Sequence, residues 1–186
     1  GCYINDRLFR PMPNGKINEG YLWDFLCVNE EYSIRNGNLI LPRPGRPSEY
    51  YVIHMFGDKN RDPNVPGLTI FPKLLYSMVD ITLNSGFGDV TQKNIPIVEK
   101  LLSSGHLTAV RHANNIDWWV ITCERSTNSY TASLLTEAGH VKNIETQIGL
   151  SRRAHDDGAG QSCFSPDGSL FAHMTTSDGL FLMDFD

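Results

Sequence analysis

Three times along this chain the same order recurs: an apolar run, a polar turn, a longer run carrying aromatic or bulky apolar residues, a second turn, and a third apolar run. Segments 39–42, 50–56 and 74–81 make the first unit; 107–110, 118–123 and 130–135 the second; 162–164, 170–174 and 180–185 the third. Runs this short, punctuated this regularly, suit strands of antiparallel sheets better than helices. Self-similarity of this kind marks an architecture in which each unit is too small to bury its apolar faces without a neighbour. A fourth, more polar run at 141–148 completes the second unit, and 89–97 is a weaker candidate for completing the first. Apolar inner strands and an alternating outer strand are what a four-stranded propeller blade requires, because its inner strands are covered on both faces while its rim is wet.

The turns carry their own chemistry. In Ser165-Pro166-Asp167-Gly168, proline sets φ for the second turn position, aspartate suits the third, and glycine takes the positive φ that finishes the reversal. Thr176-Ser177-Asp178-Gly179 repeats the signal a few residues on, and Asn36-Gly37 precedes the first unit. Helical signal is confined to 93–103, where Pro96 argues against a long helix. Residues 12–25 read as a loop, and 58–72, with three prolines, as a long excursion from one blade edge. The expectation is an all-β chain, a single β-propeller segment with two complete four-stranded blades (37–98 and 106–150) and parts of two more (1–30 and 160–186).

At 186 residues and 40% hydrophobic content the chain is long enough for a real core. Its net charge of −5 includes no basic stripe to neutralise phosphates, which argues against nucleic acid. No apolar run approaches the length of a membrane-spanning helix, which argues against insertion. Both ends fall inside strand-like segments, so the chain reads as a piece of a longer protein. Open blade edges in such a piece would seek each other, predicting edge-to-edge self-association.

The stretch FSPDGSLFAHM resembles the Ser-Pro-Asp-Gly turn of WD40-like and TolB-like β-propellers. YSMVDITLNSGFGDVTQKN, followed by LTAVRHANNIDWWVIT, is similar to the N-terminal propeller of large secreted bacterial proteins that carry a C-terminal sorting or gliding-motility-type domain. GCYINDRLFRPMPNGKINEG resembles the blade that precedes it. The resemblance implies a propeller of about seven blades, a secreted or cell-surface location, and a scaffold or recognition role towards protein or glycan. It carries over no catalytic motif and no cofactor.

The candidate site read from the residues is the corner 111–119. Arg111, His112, Asn114, Asp117 and Trp118 gather polar and aromatic groups between two strands, at a position where propellers often bind ligands. The competing reading is structural, and it carries more weight: His112 bonds nearby backbone, Asp117 caps the turn, and Trp118 or Trp119 fills the space between units. Residues 58–64 alternate oxygen side chains as a calcium loop does, but Pro63 replaces the turn glycine and Thr69 stands where a bidentate glutamate is needed, so no metal site is expected. His155-Asp156-Asp157 lies in the linker 151–160, which reads as a solvated connection, where three adjacent residues cannot converge unaided. His54 and His173 occupy matching repeat positions and read as packed or channel-lining. Cys2 and Cys27 either close a disulfide in an oxidising compartment or are small buried side chains; Cys123 and Cys163 read as the latter. No Gly-x-Ser-x-Gly elbow, His-Glu-x-x-His helix or phosphate loop is present. The main expectation is therefore a non-enzymatic module, against the alternative of a propeller-type hydrolase with its site in a central channel.

Overall fold

The computed structural model describes residues 2–18, 20, 27, 34–59, 69–152 and 160–186. Its architecture is all-β, in antiparallel sheets. Strands β1 (Tyr3–Asn5) and β2 (Pro11–Lys16) form a two-stranded sheet. A four-stranded meander follows: β3 (Asn38–Pro42), β4 (Glu49–Lys59), β5 (Thr69–Asp80) and β6 (Asp89–Val98). A second meander holds β7 (Thr108–Arg111), β8 (Trp118–Cys123), β9 (Ser129–Thr136) and β10 (Gly139–Gln147). The last sheet has three strands, β11 (Gly160–Phe164), β12 (Leu170–Thr175) and β13 (Gly179–Asp184). The three long apolar runs of the repeat thus lie in β4, β8 and β12, each the second strand of its own sheet.

Strand alternation divides each sheet into two working faces. From β4 and β5, Tyr51, Ile53, Met55, Leu74, Tyr76 and Met78 point towards the following sheet, where they meet Leu107, Val120 and Leu135 in one buried cluster. The opposite faces of β8 and β9 turn towards the last sheet, with Tyr130 edge-on to Phe171 at 5.8 Å. Trp118 ties the two four-stranded sheets together, its indole N–H donating to the Pro42 carbonyl at 3.0 Å. On the far face of the last sheet the pairs Met174–Leu180 and Ala172–Leu182 stand side by side, with Leu180 68% and Leu182 64% exposed. Cys163, paired with Ala172, shares that face and is exposed, not buried as its strand position suggested; Cys123 is fully buried.

Three local expectations are corrected. Residues 89–98 form a strand, so the helical reading of 93–103 fails: Val90, Thr91, Ile95, Ile97 and Val98 are β-branched and favour the pleated surface, and Pro96 is tolerated because β6 is an edge strand. Pro11–Lys16 is a strand and not loop. The β4–β5 hairpin extends to Lys59 and Thr69, paired with each other, so the excursion is shorter than 58–72 and Pro72 lies inside β5. Residues 60–64 of the calcium-like stretch and the His155–Asp157 cluster lie outside the described residues.

The turn at 165–168 is built as the residues dictate. Gly168 sits at φ 76°, its N–H donates to the Ser165 carbonyl at 2.9 Å, and Asp167 accepts from the Ser165 hydroxyl and from the hydroxyl and N–H of Ser169. Hydrogen bonds from the serine hydroxyls hold the Asp167 carboxyl below its ordinary range.

Cys2 and Cys27 form a disulfide with Cα atoms 5.8 Å apart, within the ordinary span of such bridges. It closes a loop across a separation of 25 residues, which restricts the unfolded chain by about 3 kcal/mol. A Cys2→Ser, Cys27→Ser protein is expected to melt roughly 10 °C below the oxidised wild type. Equal melting temperatures with and without reductant would show that the bridge contributes nothing.

Candidate functional site

The corner between β7 and β8 gathers all five expected residues. Asn114, not Asp117, organises it: its side-chain oxygen accepts from the N–H groups of Ile116 and Asp117, both at 3.0 Å, and its amide donates to the Asp117 carboxylate at 2.6 Å. This is an Asx-type turn, in which a short side chain imitates backbone. His112 accepts at Nδ1 from the Asn114 backbone N–H at 3.1 Å, while its backbone N–H donates to the Asp117 carbonyl. The Arg111 guanidinium lies 3.7 Å from the Trp118 ring centroid and donates to the Ile116 carbonyl at 2.7 Å. Such stacking is worth about 0.5–1 kcal/mol at an exposed site. Arg111, Asn114 and Ile116 face solvent, whereas Trp118 is half-buried between sheets. The corner is therefore a rigid, self-satisfied turn that presents a cation, an amide and an aliphatic group outward.

A second group was not found from sequence. His106, just before β7, stacks on His173 of β12 with ring centroids 4.1 Å apart and an interplanar angle of 22°. Both rings are fully buried. The Ser162 hydroxyl of β11 lies 3.1 Å from Nδ1 of each. A hydroxyl has a single proton and two lone pairs, so it donates to at most one Nδ1. At least one of the two imidazoles therefore carries its proton on Nδ1 and a lone pair on Nε2. Neither Nε2 has a hydrogen-bond partner. Burial pushes His106 down to about 4, with Arg152 adding to the effect, and His173 down to about 3, with His106 and Arg152 adding to it. The Cys123 sulfur lies 3.7 Å from Nδ1 of His173.

Arg152, after β10, completes the group. It is 7% exposed, and its Nη2 donates to the carbonyls of Glu124 at 2.6 Å and Ser129 at 3.4 Å. The guanidinium lies 5.0 Å from the Tyr130 ring centroid. Burial raises the Tyr130 hydroxyl to about 12, against the opposing pull of Arg152. The matching histidine of the first unit, His54, is also buried, between the Asn18 side chain at 2.7 Å and the Ser77 hydroxyl at 3.1 Å. Burial pushes it down to about 3. These histidines are packed, neutral side chains. The repeat of His54 and His173 was visible in the sequence; the partners were not, because they come from separate elements.

No protein-family model matches this chain, and neither a curated protein nor a solved structure is significantly similar to it.

Proposed function

We propose that the chain is a propeller-type stack of sheets, two complete blades and parts of two more, serving as a non-enzymatic scaffold or recognition module of an exported bacterial multidomain protein. It meets protein or glycan through the corner of Arg111, His112, Asn114, Asp117 and Trp118. One observation carries this reading: successive meandering sheets pack apolar face to apolar face, and the face that each sheet offers to its successor stands uncovered on β12 and β13. Repeats that stack in this way depend on the next unit for burial. The Cys2–Cys27 bridge fits an oxidising setting outside the cytoplasm. Among the described residues no helix is long and apolar enough to cross a membrane.

The hydrolase alternative has its best residues in His106, Ser162 and His173. There the Ser162 hydroxyl is engaged by two imidazole nitrogens and Ser162 is itself buried, which suits a packed polar bridge better than a nucleophile. The chain is to be screened against glycan arrays and against generic ester, peptide and glycosidic substrates. Saturable glycan binding that falls at least tenfold in an Arg111→Ala, Asn114→Ala protein supports recognition at the corner. Turnover abolished by Ser162→Ala would sink the non-enzymatic reading.

The open edge of β13 gives a further expectation. An edge strand with exposed leucines is a template for pairing. At tens of micromolar the wild-type chain is expected to sediment as a dimer, and Leu182→Lys as a monomer with unchanged circular dichroism. A monomeric wild type would remove the edge-to-edge contact from this account.

A further inference from the structure

The last sheet is one strand short of its neighbours. In each four-stranded meander a fourth strand, β6 or β10, lies antiparallel against the third. Strand β10 also closes the outer end of the space between its own sheet and the one before it. The Asn143 amide donates to the Ile97 carbonyl at 2.9 Å, and Glu145 pairs with Lys100 at 2.7 Å. The last sheet ends at β13, whose outer side is paired with no strand among the described residues. A cavity of about 220 Å³ opens between β10 and β13, walled by Trp119, Ile144, Ile148, Phe171, Met183 and Phe185. On its β10 side, Ile144 and Ile148 are 44% and 43% exposed.

The register of β13 determines which groups an added strand meets. Just beyond the ends of β12 and β13, the Phe185 N–H donates to the Ser169 carbonyl. Met183 and Phe181 stand opposite Phe171 and His173. Bonded and non-bonded pairs alternate along an antiparallel ladder. Phe181, Met183 and Phe185 therefore direct their backbone groups to the preceding strand, while Leu180, Leu182 and Asp184 turn theirs outward. Directly opposed residues share a face. Residues of an added strand opposite Phe181, Met183 and Phe185 thus enter the cavity, and those opposite Leu180, Leu182 and Asp184 stay outside it. Charge narrows the partner further. From 160 to 186 the charged residues are Asp167, Asp178, Asp184 and Asp186, with no lysine or arginine. Asp178 precedes β13, Asp184 closes it and Asp186 follows. Like charges across a strand pair repel, so this edge pairs more weakly with its own copy than with a basic strand.

We propose that a partner protein adds an extended basic segment to β13 as the missing fourth strand, with its alternate apolar side chains in the cavity. In strand addition, main-chain hydrogen bonds supply affinity and pockets for alternate side chains supply specificity. β-Branched residues suit both the extended backbone and the aliphatic wall of Ile144 and Ile148. Lysine or arginine at the intervening positions stands towards Asp184 and Asp186. Strand addition here uses the open edge of β13 and is independent of the corner at 111–119.

The whole chain is titrated with the peptide acetyl-KVKVTVK-amide, followed by calorimetry and amide hydrogen exchange, at a concentration below that of its own pairing. The peptide is expected to bind at one site and to slow exchange at Leu180, Leu182 and Asp184 at least tenfold. The acidic counterpart acetyl-EVEVTVE-amide should bind at least tenfold more weakly. The basic peptide N-methylated at its lysines and threonine should not bind, because those residues bond β13. Ile144→Lys, on β10 and not on β13, is expected to weaken the basic peptide at least tenfold with unchanged circular dichroism. If that variant does not fold, the N-methylated peptide on the wild type still decides. Silence of the basic peptide would overturn strand addition, and equal binding of its N-methylated form would reduce the contact to charge. Bound peptide that leaves the three amides unprotected, or that is indifferent to Ile144→Lys, would overturn it equally. So would a wild-type dimer that excess peptide fails to displace, since a second copy would then be the occupant. Glycan binding at the corner should be the same with and without peptide, so either reading can fail alone.

Discussion

Lowering the pH from 7.5 to 5.0 is expected to remove most of the folding stability of this chain. His54, His106 and His173 are buried as neutral imidazoles, and burial holds their folded-state values at about 3, 4 and 3. In the unfolded chain each titrates near 6.5. Between those limits the unfolded state binds more protons than the folded one, so stability is complete above about pH 6.5 and falls as the pH drops towards 4. The loss is about 1.4 kcal/mol per pH unit for each histidine, or roughly 4 kcal/mol per unit for the three together. A domain of this size has only about 5–15 kcal/mol to lose. Among the described residues, the carboxylates with shifted values do not explain a transition in that window: the lowered values of Asp6, Asp80 and Asp167 place their effect below the ordinary carboxylate range. Urea midpoints at pH 7.5, 6.0 and 5.0 read the effect directly. His54→Asn removes one proton from the linkage, so the slope should flatten by a third even if the variant is less stable overall. Midpoints that stay level down to pH 5.0 would mean that these imidazoles are not buried neutral.

How much of this was legible beforehand follows from where each signal resides. Strands β8 and β12 were readable within a residue or so of their bounds because their apolar runs end at unmistakable turn residues. Asn114, Asn115 and Asp117 announce one such end, and Pro166, Asp167 and Gly168 another. Strand β6 was weaker because Pro96 interrupts it; only the edge position, a property of the assembled sheet, makes that proline harmless. Cys163 looked buried because one strand cannot reveal which of its faces has a neighbour. The site divides the same way. The corner residues are contiguous, so both their clustering and their capping chemistry could be read, although the wrong side chain was given the capping role. The His106–Ser162–His173 group and Arg152 are drawn from the approach to β7, two strands of the last sheet and the segment after β10. No local pattern joins them, and Arg152 itself sat inside what read as a solvated connection.

That same connection hides the glycine on which the buried group depends. Gly160 opens β11, and a Cβ placed there would lie 1.9 Å from the Met174 carbonyl oxygen and 2.9 Å from Cε1 of His106. The first is backbone of the neighbouring strand and cannot yield as a side chain tip does. Gly160→Ala therefore forces the start of β11 away from β12 and from His106, two residues before the serine that bridges both imidazoles. Overpacking of this kind costs about 1–3 kcal/mol, and loosening the Ser162 hydrogen bonds, which leaves buried polar atoms unmet, costs about 1–3 more. The expected sum is about 4 kcal/mol, or roughly 12 °C in Tm for a chain of this length. Gly149→Ala is the control: that glycine has φ 73° with nothing within 4 Å of its Cβ position, so it should cost only the backbone strain of about 1 kcal/mol. A structural disturbance confined to β11 has a second signature. The ring nitrogen shifts of His106 and His173 should change from the wild-type pattern in Gly160→Ala and keep it in Gly149→Ala. If Gly160→Ala melts within 2 °C of wild type, the close approach of β11 to β12 and His106 is wrong, and the Ser162 bridge to the two imidazoles goes with it.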